Sequence, residues 1–170
     1  MELGLIGLGR MGANMAIRLL QGGHRVVVQN RTFEKAQELA DQHGAVAART
    51  LEELQAPRIV WLMLPAGPAT DEHIDHLIPL LQPGDILIDG ANNNYKVSIA
   101  HGEQLAARGI RFMDAGVSGG IWGLQVGYCT MVGGDPETFA HVEPIFKTLA
   151  PPDGYLLCGP HGAGHFVKMI

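Results

Sequence analysis

Gly4-Leu5-Ile6-Gly7-Leu8-Gly9-Arg10-Met11-Gly12 joins an apolar, strand-like run to the start of a segment with helical periodicity. The stretch carries the pattern G-x-G-x-x-G between strand and helix, which is typical of dinucleotide binding. Gly7 permits a sharp turn, Gly9 lets the backbone approach a pyrophosphate, and Gly12 lets the helix lie close to the strand. We therefore predict cofactor contacts from Gly7, Leu8, Gly9, Arg10, Met11 and Gly12. The alternative is a glycine-rich turn that binds nothing.

Short apolar runs and helical segments alternate along the rest of the chain. The predicted strands are residues 2–6, 25–29, 58–64, 86–89, 111–115, 128–132 and 155–158, and the predicted helices are 11–21, 33–42, 69–81, 95–108 and 136–149. This alternation is typical of an α/β fold. It predicts one dinucleotide-binding domain over residues 1–161, with a doubly wound, mostly parallel, Rossmann-like sheet.

A further helix begins at residues 162–170, with Phe166, Val167 and Ile170 on an apolar side. The segment contains no helix-ending signal such as a following glycine. We interpret it as the first turns of a helix that leads to a separate, all-helical domain.

The composition of the chain argues against some classes of binding partner. The chain of 170 residues is 46% hydrophobic and 17% charged, a globular balance, and its net charge of -5 offers no basic field for nucleic acid or an anionic membrane. We expect a cytoplasmic protein with no nucleic-acid or membrane partner. Cys129 and Cys158 are too few for a disulfide framework or a zinc site and are expected to be reduced thiols in the core. His73 and His76 could pair on a helix, but a solvated polar face explains them as well, so no metal site is predicted.

The end of the second strand bears on the choice of cofactor. An acidic residue is usual there in NAD enzymes, because it accepts hydrogen bonds from the adenosine ribose. Here the strand leads into Asn30-Arg31-Thr32, and no carboxylate follows until Glu34. Arg31 could pair with a 2′-phosphate while Asn30 and Thr32 donate hydrogen bonds, so NADP is predicted over NAD. The alternative is that Thr32 only caps the next helix and that Arg31 is solvated.

Four segments resemble the 6-phosphogluconate dehydrogenase (decarboxylating) family, within the β-hydroxyacid dehydrogenase superfamily. They are residues 4–12, Ile88-Asp89-Gly90-Ala91-Asn92, Asp114-Ala115-Gly116-Val117-Ser118-Gly119-Gly120 and Gly162-Ala163-Gly164-His165-Phe166-Val167-Lys168-Met169. Two segments are similar to the shorter enzymes of this family: Ile121-Trp122-Gly123-Leu124 followed by Gly127-Tyr128-Cys129, and Gly164-His165-Phe166-Val167-Lys168-Met169. The chain departs from many longer relatives at Pro65, where they carry a lysine, so one possible cofactor contact is missing.

The resemblance implies a set of ligand contacts. Ser118, Gly119, Gly120, His165 and Lys168 would bind a small sugar acid, Asn92 would touch both substrate and nicotinamide, and Leu64, Pro65 and Ala66 would contact the cofactor. Without the resemblance, the Ser-Gly-Gly segment would be interpreted as an ordinary turn and Lys168 as a solvated lysine.

The resemblance also implies the chemistry. Lys168 would act as general base on the substrate's 3-hydroxyl, for which it must be neutral for part of the cycle, and would then return the proton during decarboxylation. The whole enzyme would convert 6-phosphogluconate to ribulose 5-phosphate and carbon dioxide as a homo-oligomer. This chain alone is expected to bind cofactor but to turn over poorly. The alternatives are another β-hydroxyacid dehydrogenase, acting on 3-hydroxyisobutyrate or tartronate semialdehyde, and a non-catalytic nucleotide-binding module.

Overall fold

The computed structural model describes all 170 residues. Its eight strands are β1 (Glu2–Ile6), β2 (Arg25–Gln29), β3 (Val46–Ala47), β4 (Ile59–Leu62), β5 (Ile86–Asp89), β6 (Arg111–Ser118), β7 (Cys129–Gly133) and β8 (Tyr155–Gly159). Its seven α-helices are α1 (Arg10–Gln21), α2 (Phe33–His43), α3 (Pro68–Leu77), α4 (Tyr95–Ala106), α5 (Gly123–Val126), α6 (Pro136–Leu149) and α7 (Ala163–Met169).

All eight strands form one sheet in the order β3-β2-β1-β4-β5-β6-β7-β8. Every neighbouring pair runs parallel except β6 and β7, which are antiparallel. The order reverses beside β1, so the chain builds outward first in one direction and then in the other. The predicted Rossmann-like, mostly parallel α/β fold is confirmed.

The central strands are apolar on both faces because helices cover both sides of the sheet. In β4, Ile59 and Trp61 belong to one core cluster of 24 residues, whereas Val60 and Leu62 belong to a second cluster of 15. The first cluster includes residues of α1, α2 and α6, and the second includes residues of α3 and α4. An unbroken apolar run, rather than an alternating one, is therefore the expected signature of such a strand.

Several boundaries differ from the sequence prediction. Helix α3 ends at Leu77 rather than at residue 81, and β6 continues to Ser118, where it pairs with Cys129. The two-residue strand β3 and the short helical segment from Gly120 to Val126 were not predicted, because elements this short carry no usable periodicity.

The prediction that both cysteines lie in the core was wrong. Cys129 is exposed at the start of β7, and Cys158 is half-buried in β8. Burial raises the pKa of the Cys158 thiol. Strand β8 is the edge strand of the sheet, and β7 lies next to it. None of the seven helices has the length and hydropathy that a membrane span requires.

Candidate functional site

The glycine loop between β1 and α1 is built by contacts that exclude side chains. Gly7 has a φ of 99°, and a Cβ placed there would overlap the carbonyl oxygen of Met63. A Cβ on Gly12 would overlap the carbonyl oxygen of Gly7 itself. Gly9 differs, because a Cβ there would meet nothing within 4 Å. Two of the glycines therefore form the turn, and the third leaves an open position at the helix start.

Polar groups at the start of α1 are free to bind an anion. Gly9 occupies the N-cap position, supplies no side-chain cap, and has its carbonyl bonded by the amide of Ala13 at 2.9 Å. No hydrogen bond within the chain occupies the amides of Gly9, Arg10 or Met11. These amides carry the positive end of the helix dipole, so the loop suits a diphosphate. The side chain of Arg10 is exposed beside them.

Asn30 holds the glycine loop to the end of β2. Its Oδ1 accepts a hydrogen bond from the amide of Leu8 at 2.9 Å, and its Nδ2 donates to the carbonyl of Thr32 at 3.0 Å. The sequence prediction made this amide a hydrogen-bond donor to the cofactor. In the structure it instead connects the two loops that a dinucleotide would span.

Arg31 and Thr32 lie next to this connection with exposed side chains. Thr32 is the N-cap residue of α2, but its hydroxyl makes no capping hydrogen bond and is free to bind a ligand. A second arginine, Arg49, reaches the same place from the segment after β3. Its guanidinium carbon lies 3.9 Å from the centroid of the Phe33 ring, a cation–π arrangement. Sequence analysis missed Arg49, because only the pairing of β3 with β2 brings it to α2.

The loops after β4 and β5 are joined by a buried amide and a buried carboxylate. Asp89 accepts hydrogen bonds from the amide of Ala91 at 2.9 Å and from Nδ2 of Asn93 at 2.7 Å. The Oδ1 of Asn93 then accepts a hydrogen bond from the amide of Gly67 at 2.9 Å. This fixes the segment that contains the predicted cofactor residues: Leu64 is half-buried, while Pro65 and Ala66 are exposed.

Asn92 and Lys168 meet adjacent residues of β6. Asn92 adopts a left-handed backbone with a φ of 55°, and its Oδ1 accepts a hydrogen bond from the amide of Val117 at 3.3 Å. On the neighbouring residue, a Cβ at Gly116 would overlap Cβ of Lys168. The structure thus brings together residues from the loop after β5, from β6 and from α7 that are far apart in the sequence.

Helix α7 is held in place by Asp114, a fully buried residue of β6. Its two carboxylate oxygens accept hydrogen bonds from the amide of Gly162 at 2.7 Å and from the amide of His165 at 2.8 Å. The helix lies directly on the sheet, because a Cβ on Gly164 would overlap the carbonyl oxygen of Met131. Asp114 therefore caps the helix that carries Lys168, a role that its place in the sequence motif does not disclose.

The Ser118-Gly119-Gly120 loop rests on a buried aromatic ring. Tyr128 is fully buried, and a Cβ on Gly119 or Gly123 would run into its ring. Ser118 and Gly120 are exposed, and Trp122 on the same short helical segment is 67% exposed. Burial raises the pKa of the Tyr128 hydroxyl, so this ring is neutral at ordinary pH.

His165 lies behind these residues rather than among them. Its side chain is fully buried, with Nδ1 hydrogen-bonded to Oγ of Ser98 in α4 at 2.7 Å. The bond ties the helix after Asn92 to the helix that carries Lys168. The Nε2 of the ring is buried without a hydrogen-bond partner in the chain, and the substrate contact of His165 stays a prediction.

Comparison with known proteins places the same fold in a named family. Residues 2–159 match the family model described as the NAD binding domain of 6-phosphogluconate dehydrogenase. YqeC of Bacillus subtilis, whose name assigns it provisionally to 6-phosphogluconate dehydrogenase, is 42% identical over 174 residues. That alignment covers 100% of this chain and 58% of the Bacillus protein.

Two solved structures are similar over almost the whole chain. The 6-phosphogluconate dehydrogenase of Plasmodium falciparum, solved without ligand, with NADP+ and with 6-phosphogluconate, has a TM-score of 0.91 at 31% identity, covering 99% of this chain and 39% of that one. The 3-hydroxyisobutyrate dehydrogenase of Mycobacterium tuberculosis has a TM-score of 0.88 at 28% identity, covering 98% and 57%. The chain thus spans between 39% and 58% of the length of these relatives.

Proposed function

This chain belongs to the 6-phosphogluconate dehydrogenase family as an NAD-binding domain, and from that premise we propose that it binds NADP for the oxidative decarboxylation of 6-phosphogluconate. The observation that carries the proposal is the glycine loop. Gly7 and Gly12 form a turn that admits no side chain, while Gly9 leaves open space beside three amides without partners. A diphosphate fits such a position.

The preference for NADP is proposed from charge. Arg31 and Arg49 both reach the start of α2, where Thr32 keeps a free hydroxyl. Only NADP carries a 2′-phosphate on the adenosine ribose, and guanidinium groups pair with its oxygens in a bidentate geometry. The nearest carboxylate in the sequence, Glu34, is the second residue of α2, and its exposed side chain would repel that phosphate only weakly across solvent.

We assign the reaction to the residues that lie together beside β6. Ser118, Gly119 and Gly120 would bind the sugar acid, and Asn92 would orient it toward the nicotinamide. Lys168 would take the proton of the 3-hydroxyl. When bound, NADP supplies the acceptor for the hydride that leaves C3.

Loss of the carboxyl group follows from the resulting ketone. The bond between C1 and C2 breaks, and C1 leaves as carbon dioxide. The electrons of that bond form a double bond between C2 and C3, and the C3 oxygen takes its proton from Lys168. The product is an enediol that becomes ribulose 5-phosphate when the former C2, now C1 of the product, is protonated. The ketone β to the carboxylate is the electron sink for this step.

Calorimetry on this chain tests the cofactor half of the proposal. Titration with NADP and with NAD is expected to give tighter binding of NADP. Arg31→Ala is expected to weaken NADP by about tenfold or more, the value of one charge-assisted contact, and to leave NAD nearly unchanged. Arg49→Ala is expected to act in the same direction. Equal binding of the two cofactors to the unaltered chain would contradict the proposed preference for NADP.

A related substrate is the second candidate, favoured by the match to 3-hydroxyisobutyrate dehydrogenase. The full-length protein that contains this domain can be assayed with both acids. NADPH formation with 6-phosphogluconate, lost in Lys168→Met, is expected. If only 3-hydroxyisobutyrate were oxidised, the protein would be a 3-hydroxyisobutyrate dehydrogenase. If neither acid were oxidised although NADP still bound, the chain would be a nucleotide-binding module.

A further inference from the structure

A cavity lies at the amino ends of β4, β5 and β6, opposite to the carboxyl ends where the glycine loop lies, and we call it the amino-edge cavity. It has a volume of about 430 Å³ and lies where β4, β5 and β6 begin, against the first turns of α6. Its lining residues are Pro57, Arg58, Ile59, Gly84, Ile86, Arg111, Glu137 and His141. A cavity of this size is in the range that small-molecule sites occupy. None of these residues takes part in the proposed dehydrogenase site.

The polar lining of this amino-edge cavity is mostly cationic or neutral. Two arginines and a histidine face one carboxylate, that of Glu137, whose side chain is 86% exposed. The Nη2 of Arg111 lies 3.9 Å from Oε1 of Glu137, too far for a hydrogen bond. Arg111 itself is 42% exposed. Its guanidinium is therefore held only weakly and can turn toward a ligand in the cavity.

Arg58 is more firmly placed. Its side chain is 16% exposed, and its Nη1 donates to the carbonyl of Leu80 at 3.2 Å. The nearby carboxylate of Asp85 lies 3.8 Å from Nη1, and its oxygens already accept hydrogen bonds from the amides of Arg58 and Gln82 at 2.7 and 2.8 Å. Asp85 thus fixes the start of β4, and Nε of Arg58 is buried without a hydrogen-bond partner in the chain.

We propose that the amino-edge cavity binds a small anion with several oxygens, of the phosphate-ester class. Arg58 and Arg111 would pair with the phosphate oxygens, and His141 would donate a hydrogen bond. Ile59 and Ile86 would cover the apolar part of the ligand. Because two arginine forks suit a tetrahedral, multiply charged group, phosphate is preferred over a single carboxylate.

The test is NMR titration of the chain with inorganic phosphate and, separately, pyrophosphate, with sodium chloride at matched ionic strength as the control. Saturable shifts are expected at the Arg58 and Arg111 guanidinium signals and at the amides of residues 84–86. Pyrophosphate is also expected to shift residues 7–12. The residues of the cavity and those of the glycine loop lie at opposite ends of the strands. If shifts at one site fail to appear, shifts at the other can therefore still be measured.

Two exposed substitutions should change this affinity in opposite directions. Arg111→Gln is expected to raise the dissociation constant for phosphate about tenfold. Glu137→Gln is expected to lower it about threefold by removing the competing carboxylate. Neither residue is buried, so both variants should fold. Equal affinities in all three proteins, shifts confined to residues 7–12, or the same shifts with chloride would each overturn the proposal.

Discussion

At the glycine loop and at helix α7, a glycine lets the start of a helix pack closely, but the backbone amides are free only at the glycine loop. In both, a glycine brings the start of a helix against backbone: Gly12 against Gly7 in the turn after β1, and Gly164 against Met131 in β7. The helix start at the glycine loop opens onto free amides. The amides at the start of α7 are instead satisfied by Asp114. A close helix–strand contact is therefore not itself a binding site, because the partner of the helix amides decides that.

The two regions also differ in their apolar surface. Helix α1 buries Met15, Ala16 and Leu19 in the core. Helix α7 leaves Phe166 and Met169 exposed, the latter at 70%. Cofactor binding can thus be proposed from residues within this chain alone. The chemistry assigned to Lys168 is proposed for the full-length protein, since this chain spans 58% or less of the relatives compared.

The largest expected effect separates the two kinds of glycine within the loop. Gly12→Ala should destabilise the chain by about 3 kcal/mol, because the new Cβ would overlap the backbone carbonyl of Gly7 and crowd Cβ of Met63. This clash exceeds the ~1 kcal/mol that alanine gains in a helix. Gly9→Ala should change the free energy of unfolding by less than about 0.5 kcal/mol, because its Cβ meets nothing.

Urea unfolding and NADP calorimetry on both variants check this prediction. Gly9→Ala is expected to stay folded and to lose NADP affinity by about tenfold, since the methyl group projects where a diphosphate would lie. If Gly12→Ala proved as stable as Gly9→Ala, the turn would not be held by the contacts described.

A smaller effect is expected at the other helix. Asp114→Ala leaves two buried amides without an acceptor and should cost about 2 kcal/mol, whereas Asp114→Asn keeps one oxygen and should cost less. Hydrogen exchange is expected to speed up at Gly162 and His165, with exchange in α1 and NADP affinity unchanged. A loss of NADP affinity as large as that in Gly9→Ala would show that the two regions are coupled.

The smallest expected effect is a loss of stability at acidic pH that arises from His24, which contacts Met1 and α6. Nδ1 of His24 lies 2.9 Å from the amino group of Met1, and Nε2 lies 2.7 Å from Oγ1 of Thr148. Burial, and then the charge of that amino group, lower the pKa of His24 below its ordinary value of 6.5. The folded chain therefore favours the neutral ring, while the unfolded chain takes up a proton near pH 6.5.

Stability from this group is present above pH 6.5 and is lost as pH falls toward the lowered pKa of the folded chain. Thermal melts of the unaltered chain and of His24→Gln between pH 7.5 and about pH 5 measure this loss. The variant should show the flatter profile, and parallel profiles would mean that other groups cause the acid sensitivity.

Local patterns predicted the parts of the molecule that local geometry governs. The glycine loop was identified because strand, turn and helix follow one another within a few residues, and the α/β class followed from the alternation of apolar runs. Arg49, Tyr128 and the capping role of Asp114 were missed. Each acts on a segment that is distant in the sequence, and neither arginine, tyrosine nor aspartate carries a distinctive pattern in its own segment.

The sequence by itself determined a dinucleotide-binding α/β chain, because glycine placement and apolar periodicity act through the backbone of neighbouring residues. Only the tertiary structure decided the antiparallel course of β7, the exposure of Cys129, the burial of His165 and the meeting of Asn92 with Lys168 on β6. These depend on which strands become neighbours, and that is settled by packing across the whole sheet.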